Sequence, residues 1–108
     1  MKLLTVDLRS LLDSCKVGIE ATRGLEHTWD HSSTADDTAK AKLLRDLERK
    51  RDGLRELLLA RAKPAISDLA KKRGAIAVLE KSVVLWTEAE DITALIMAAV
   101  DEGGPLTL

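Results

Sequence analysis

The hydrophobic pattern changes period along the chain, and each change marks an expected element. Leu3-Leu4-Thr5-Val6 is a short apolar run ending at Asp7, which predicts a strand. From Leu8 the spacing switches to steps of three and four. Leu8, Leu12, Cys15, Ile19, Thr22, Leu25 and Trp29 form one stripe, which predicts a single helix. Gly18 and Gly24 lie inside that stretch and lower its propensity, so the helix should depend on a partner. Asp30-His31-Ser32-Ser33-Thr34 interrupts the pattern, and Ser33 with Asp36, or Thr34 with Asp37, can cap a new start. A second, long helix then extends to Arg73 on a near-heptad stripe of Leu44, Leu47, Arg51, Leu54, Leu58, Arg61, Ala65 and Leu69. Two helical stripes across a short polar turn predict an antiparallel hairpin. Pro64 removes one backbone hydrogen bond and should kink the second helix, separating a paired first half from a remainder that belongs to another body.

After Lys71-Lys72-Arg73, cations suited to a helix C-terminus, Gly74 supplies the stop. Ala75–Leu79 and Val83–Trp86 are short, β-branched runs around Glu80-Lys81-Ser82, the pattern of a β-hairpin. Thr87 with Glu90 resembles a capping box, and Asp91 is a second cap candidate. Ile92, Leu95, Ile96, Ala99 and Val100 share one face of a last helix that ends near Gly103-Gly104-Pro105. The expected order is β-α-α-β-β-α, an α+β fold that is mostly helical. Three short strands and one helix bury little by themselves, and open sheet edges invite pairing, so the body is expected to complete itself by oligomerising.

Composition agrees with packed helices. Among 108 residues there are two Trp and no Phe or Tyr, so the core is built from Leu, Val, Ile and Ala. The net charge of −1 gives no global attraction to nucleic acid, and no aromatic interleaving or recognition motif supports such binding. The charge is uneven: residues 1–39 sum to −3, residues 40–73 to +7 and residues 74–108 to −5. The basic stretch reads first as a solvated helix face, with steering of acidic partners as its functional alternative. A single cysteine, Cys15, excludes an intrachain disulfide, and its stripe position makes it a small buried hydrophobe. His27 and His31 at i,i+4 fall short of the three or four ligands that zinc needs, so no metal is expected. Thr93 has no nearby base and reads as a cap. With no nucleophile–base pair, Gly-rich phosphate loop or paired-carboxylate motif, neither an enzyme nor a cofactor is expected. No apolar run reaches the ~20 residues that span a bilayer. The first residues are too short and too soon acidic for a signal peptide.

Ala65-Ile66-Ser67-Asp68-Leu69-Ala70-Lys71-Lys72-Arg73-Gly74, followed by Val78-Leu79, Val83-Val84-Leu85-Trp86 and Asp91-Ile92-Thr93, resembles the Skp/OmpH family of periplasmic chaperones. The family pattern is a helix ending in Ala-Lys-Lys-x-Gly, a Val-Leu strand, a Val-Leu-Tyr strand, and Asp-Ile-Thr before a final helix. Trp86 stands where the family has Tyr. The opening Lys2, apolar strand, Val6-Asp7 and helix with Leu11, Leu12 and Ser14 is similar too. The resemblance covers roughly residues 2–15 and 62–101, with the helical segment between them matching only in type.

The resemblance implies one domain over residues 1–108, with a body at about 1–15 and 63–104 and a projecting hairpin arm at about 16–62. It implies a homotrimer whose strands form a small β-barrel body and whose coiled-coil arms enclose a cavity. The implied activity is ATP-independent binding of unfolded proteins, in outer-membrane protein assembly. Leu43, Leu47, Lys50, Arg51, Leu54 and Leu58 are the expected client-binding residues, and Leu4, Val6, Val78, Val84, Leu85 and Trp86 the expected oligomerisation residues. The arm is shorter than is usual in the family: its paired part would reach about 30 Å. The implied compartment is the periplasm if a signal peptide has been removed, and the cytoplasm if Met1 is the native start. The alternative is a cytoplasmic or engineered structural oligomer, an adaptor that keeps the body without chaperone activity. Binding of a membrane surface or nucleic acid by the +7 segment ranks third.

Overall fold

The computed structural model describes residues 2–32 and 36–107. The fold is α+β and mostly helical: β1 (Leu3–Val6), α1 (Leu8–Ser14), α2 (Lys16–Asp30), α3 (Asp37–Arg73), β2 (Ala77–Glu80), a 3-10 turn at Lys81–Val83, β3 (Glu90–Asp91) and α4 (Thr93–Asp101). The molecule is elongated, 57 × 30 × 16 Å.

The sheet is small, open and parallel. β1 lies in the centre, with β2 and β3 on either side, pairing Leu4 with Val78 and with Glu90. This corrects the expected β-hairpin. Val83–Trp86 is not a strand, and β2 and β3 do not pair with each other, because β1 occupies the place between them. Two strands that both run parallel to β1 cannot be joined by a tight turn, so residues 81–89 form a crossover. Glu80 starts it: its carboxylate accepts from Ser82 N and, at 2.7 Å, from Leu8 N at the start of α1. Thr87 also takes a different part from that of a capping box, accepting from Ala89 N at 2.9 Å in a turn before β3.

The predicted first helix is two helices. Cys15 takes an extended conformation (φ −77°, ψ 153°) that ends α1 and opens α2. The stripe runs through this elbow without a change of period because residues on both sides still face the same core. At the elbow Gly18 lies against the Leu12 backbone so closely that a Cβ would come within 2.1 Å of the Leu12 carbonyl oxygen. Asp101, at the end of α4, accepts from Lys16 N and Val17 N and satisfies the exposed start of α2.

α3 is continuous through Pro64, and its ends follow local chemistry. Asp36 caps its start by accepting from Ala39 N at 2.7 Å; Ser33 and Thr34, the other cap candidates, lie outside the described residues. Gly74 closes its end in the left-handed region (φ 66°), where glycine carries no Cβ penalty. The helix serves two neighbours. Residues around Leu44–Arg51 face α2 and α1, while Leu54, Leu58 and Ala62 enter the main core with Leu4, Val6, Leu11, Leu12, Cys15, Ile92, Ile96 and Val100. Arg51 and Arg61, both on the apolar stripe, meet polar partners at its margins: Arg51 donates to Asp13 at 2.7 Å, and Arg61 to Gly104 O at 2.6 Å. Thr93 ties the last helix to the first strand, accepting from Asp7 N at 2.8 Å, while Asp91 accepts from Thr93 N.

Candidate binding surfaces

The expected oligomerisation residues divide into two groups. Leu4 and Val6 are 0% and 2% exposed and do their packing within the chain, on the central strand. Val78 and Val84 are half-buried, whereas Val83, Leu85 and Trp86 are 78%, 106% and 77% exposed. With Ile76 and Leu79 they make an apolar strip of sequence, residues 76–86, along and beyond β2, whose outer edge has no neighbouring strand among the described residues. A β-branched run that does not find a strand partner in its own chain thus remains on the surface. Five exposed large hydrophobics within eleven residues are denser than the scattered single ones normal on soluble proteins.

The expected client-binding residues also divide. Leu47, Leu54 and Leu58 are buried, Leu54 and Leu58 in the main core and Leu47 against α2. Leu43 is half-buried, Lys50 is exposed, and Arg51 is held by Asp13. The surface that remains between α2 and α3 is a hollow of about 240 Å³. Leu25 and Trp29 of α2 and Leu44 and Leu47 of α3 supply its apolar lining, and Glu26, Asp30, Glu48 and Arg51 its charged margin. The opposite face of α3 carries Lys42, Arg45 and Arg49, so these three cations turn away from the hollow, whereas Lys40 lies beside Trp29 and Asp30 at its end. Sequence periodicity places all four apolar residues on stripes; the space left between the stripes becomes visible only in the packed helices.

A third cluster is polar. Asp91 accepts from Lys81 Nζ at 2.8 Å and from Thr93, and these bonds, that from Lys81 foremost, hold its carboxyl down to about 2. Asp91 in turn raises the Lys81 ammonium. Desolvation pushes Glu80 up, but bonds from Ser82, Leu8 and Arg9 outweigh it and leave the carboxyl below its usual value. Glu90 meets Arg73 at 2.9 Å and Lys2 at 3.7 Å. These pairs staple the crossover, β3 and the end of α3 to one another. Sequence reasoning identifies Asp91 as a cap but not the ion pair with Lys81, ten residues earlier.

The two histidine rings lie tilted at 41° to each other with centroids 4.1 Å apart, and His31 Nδ1 is 2.9 Å from His27 O. Among the described residues no group of three His, Cys, Asp or Glu could hold a metal ion. Cys15 is buried, and burial pushes its thiol up, away from the thiolate that nucleophilic chemistry uses. No helix is long and apolar enough to cross a membrane among the described residues. No protein-family model matches the chain, and no curated protein matches it.

Proposed function

We propose that the chain is a short-armed relative of the Skp/OmpH chaperones, a homotrimeric, ATP-independent holdase for unfolded proteins of the outer-membrane type. The observation that carries this reading is the apolar strip Ile76, Leu79, Val83, Leu85 and Trp86 beside an open sheet edge. Exposed edges and large apolar patches are normally covered. In the proposed trimer, the β2 edge and Val83–Trp86 of each copy pair with the next copy and close the three small sheets into a barrel. Val78, Val84, Leu85 and Trp86 line those contacts. The outer ends of α2 and α3, beyond the residues that enter the main core, project as an arm in each copy. Clients are held by many weak contacts whose avidity comes from three arms acting together.

A second reading has its own support. Leu47, Leu54 and Leu58 are packed inside the chain, which leaves the arms less apolar surface for clients. A structural oligomer or adaptor needs only the covered strip. Two measurements separate the readings. Light scattering on a size-exclusion column is expected to give three times the 11.8 kDa chain mass, and a stable monomer would overturn both. Suppression of aggregation of an unfolded outer-membrane protein, without nucleotide and at stoichiometric trimer, distinguishes the holdase. A trimer that gives no protection at several-fold excess leaves the structural oligomer.

A further inference from the structure

We infer that the hollow between α2 and α3 binds a cationic, apolar segment of another polypeptide, with one large apolar side chain between Trp29 and Leu44 and a neighbouring lysine or arginine against Glu26, Asp30 and Glu48. Trp29 and Leu44 are 39% and 46% exposed at the hollow, and Leu47 closes its base. Thr22 offers no competing polar group, because its hydroxyl donates to Gly18 O at 3.0 Å within its own helix. At about 240 Å³ the space is below the ~300 Å³ at which small-molecule pockets begin, and it suits a side chain carried on a peptide.

Charge selects the kind of peptide. Among the described residues Glu26, Asp30 and Glu48 make no ion pair; of the nearby cations, Arg51 is held by Asp13 at 2.7 Å and Lys40 lies beside Trp29 and Asp30 at the end of the hollow, so the carboxylates still outnumber the cations. Three exposed carboxylates around an apolar floor repel an acidic segment and attract a basic one. The same argument disfavours a second copy's own exposed strip, Val83–Trp86. That strip lies in residues 74–108, where six acidic residues face one basic. The site does not depend on trimer formation. Its role as a client contact rests on the holdase reading, but the binding itself does not.

The test uses the full chain and a short, terminally blocked peptide of leucine and lysine, with a glutamate-for-lysine version as its control. The two indole N–H resonances, assigned with Trp86→Phe, report where binding occurs. Saturable binding of the lysine peptide that shifts Trp29 and leaves Trp86 in place is expected. Glu48→Lys should weaken it about five- to ten-fold, more at low salt than at high salt, since exposed charge pairs are individually weak and screened. Leu44→Ala should weaken it as well, whereas Leu85→Ser should not. Equal affinity for the glutamate peptide, an unchanged affinity in Glu48→Lys, a shift at Trp86 alone, or no binding would each overturn the inference. A fall in oligomer mass on Trp29→Ala would overturn it too, by assigning the hollow to a second copy. Peptide binding without protection of a client would leave the site standing and remove the holdase.

Discussion

Asp91 joins three parts of the molecule through one carboxylate. It accepts from Lys81 across the crossover and from Thr93 at the start of α4, and Thr93 in turn accepts from the amide that follows β1. Its carboxyl titrates at about 2 in the fold, against about 3.9 in an unfolded chain. A carboxyl depressed on folding contributes stability above its unfolded value, and that contribution disappears as pH falls through the folded value. The loss therefore belongs between about pH 4 and pH 2. Carbon-detected NMR should find the Asp91 midpoint near the lower end of that window, and Lys81→Met should move it upward. An unshifted midpoint in Lys81→Met would mean that the ion pair is not what lowers it.

Two glycines of α2 make opposite predictions from the same substitution. An exposed helical Gly→Ala normally stabilises by about 0.5–1 kcal/mol. Gly24 meets that condition, since a Cβ there would find nothing within 4 Å, and Gly24→Ala should raise the denaturation midpoint. At Gly18 the added Cβ would meet the Leu12 carbonyl at 2.1 Å, and backbone must move to admit it. Gly18→Ala should cost about 1–3 kcal/mol in urea unfolding, the range for overpacking. Similar midpoints for the two variants would contradict the elbow at Cys15. That elbow also needs Asp101, whose carboxylate meets the first amides of α2; Asp101→Ala should cost about 1 kcal/mol, as other lost caps do. The elbow marks the limit of what periodicity reveals. β1, the extent of α3, the Gly74 stop and the face of α4 are legible because each is written in nearby residues. The elbow is not, because a stripe that stays in one core keeps its period through a bend. The crossover is missed for a related reason: a β-branched run encodes a preference for extended, covered backbone without naming the partner. Of the α2–α3 hollow, the four apolar lining residues are legible on their stripes, and the gap between them depends on how two helices pack.

At the scale of the whole molecule, one chain buries its central strand and leaves its edge strand and the following segment uncovered. This division allows assembly to be tested without disturbing the fold. Leu85 is fully exposed and Trp86 nearly so, so replacing either by serine should change the stability of an isolated protomer by no more than about 0.5 kcal/mol. If copies cover the strip, the same changes should lower the assembled mass. They should also remove the dependence of the thermal midpoint on protein concentration, because binding between copies stabilises by mass action. Val84→Asp is a harsher version, placing an unpaired charge at a half-buried site, and should abolish assembly. Lys50→Glu lies on exposed α3 surface, and its mass should match the parent's. If the serine variants keep both the parent mass and a concentration-dependent midpoint, the strip is not the surface through which copies meet. Equal loss of mass in Lys50→Glu would instead move that surface onto α3, with the barrel body no longer needed to explain it.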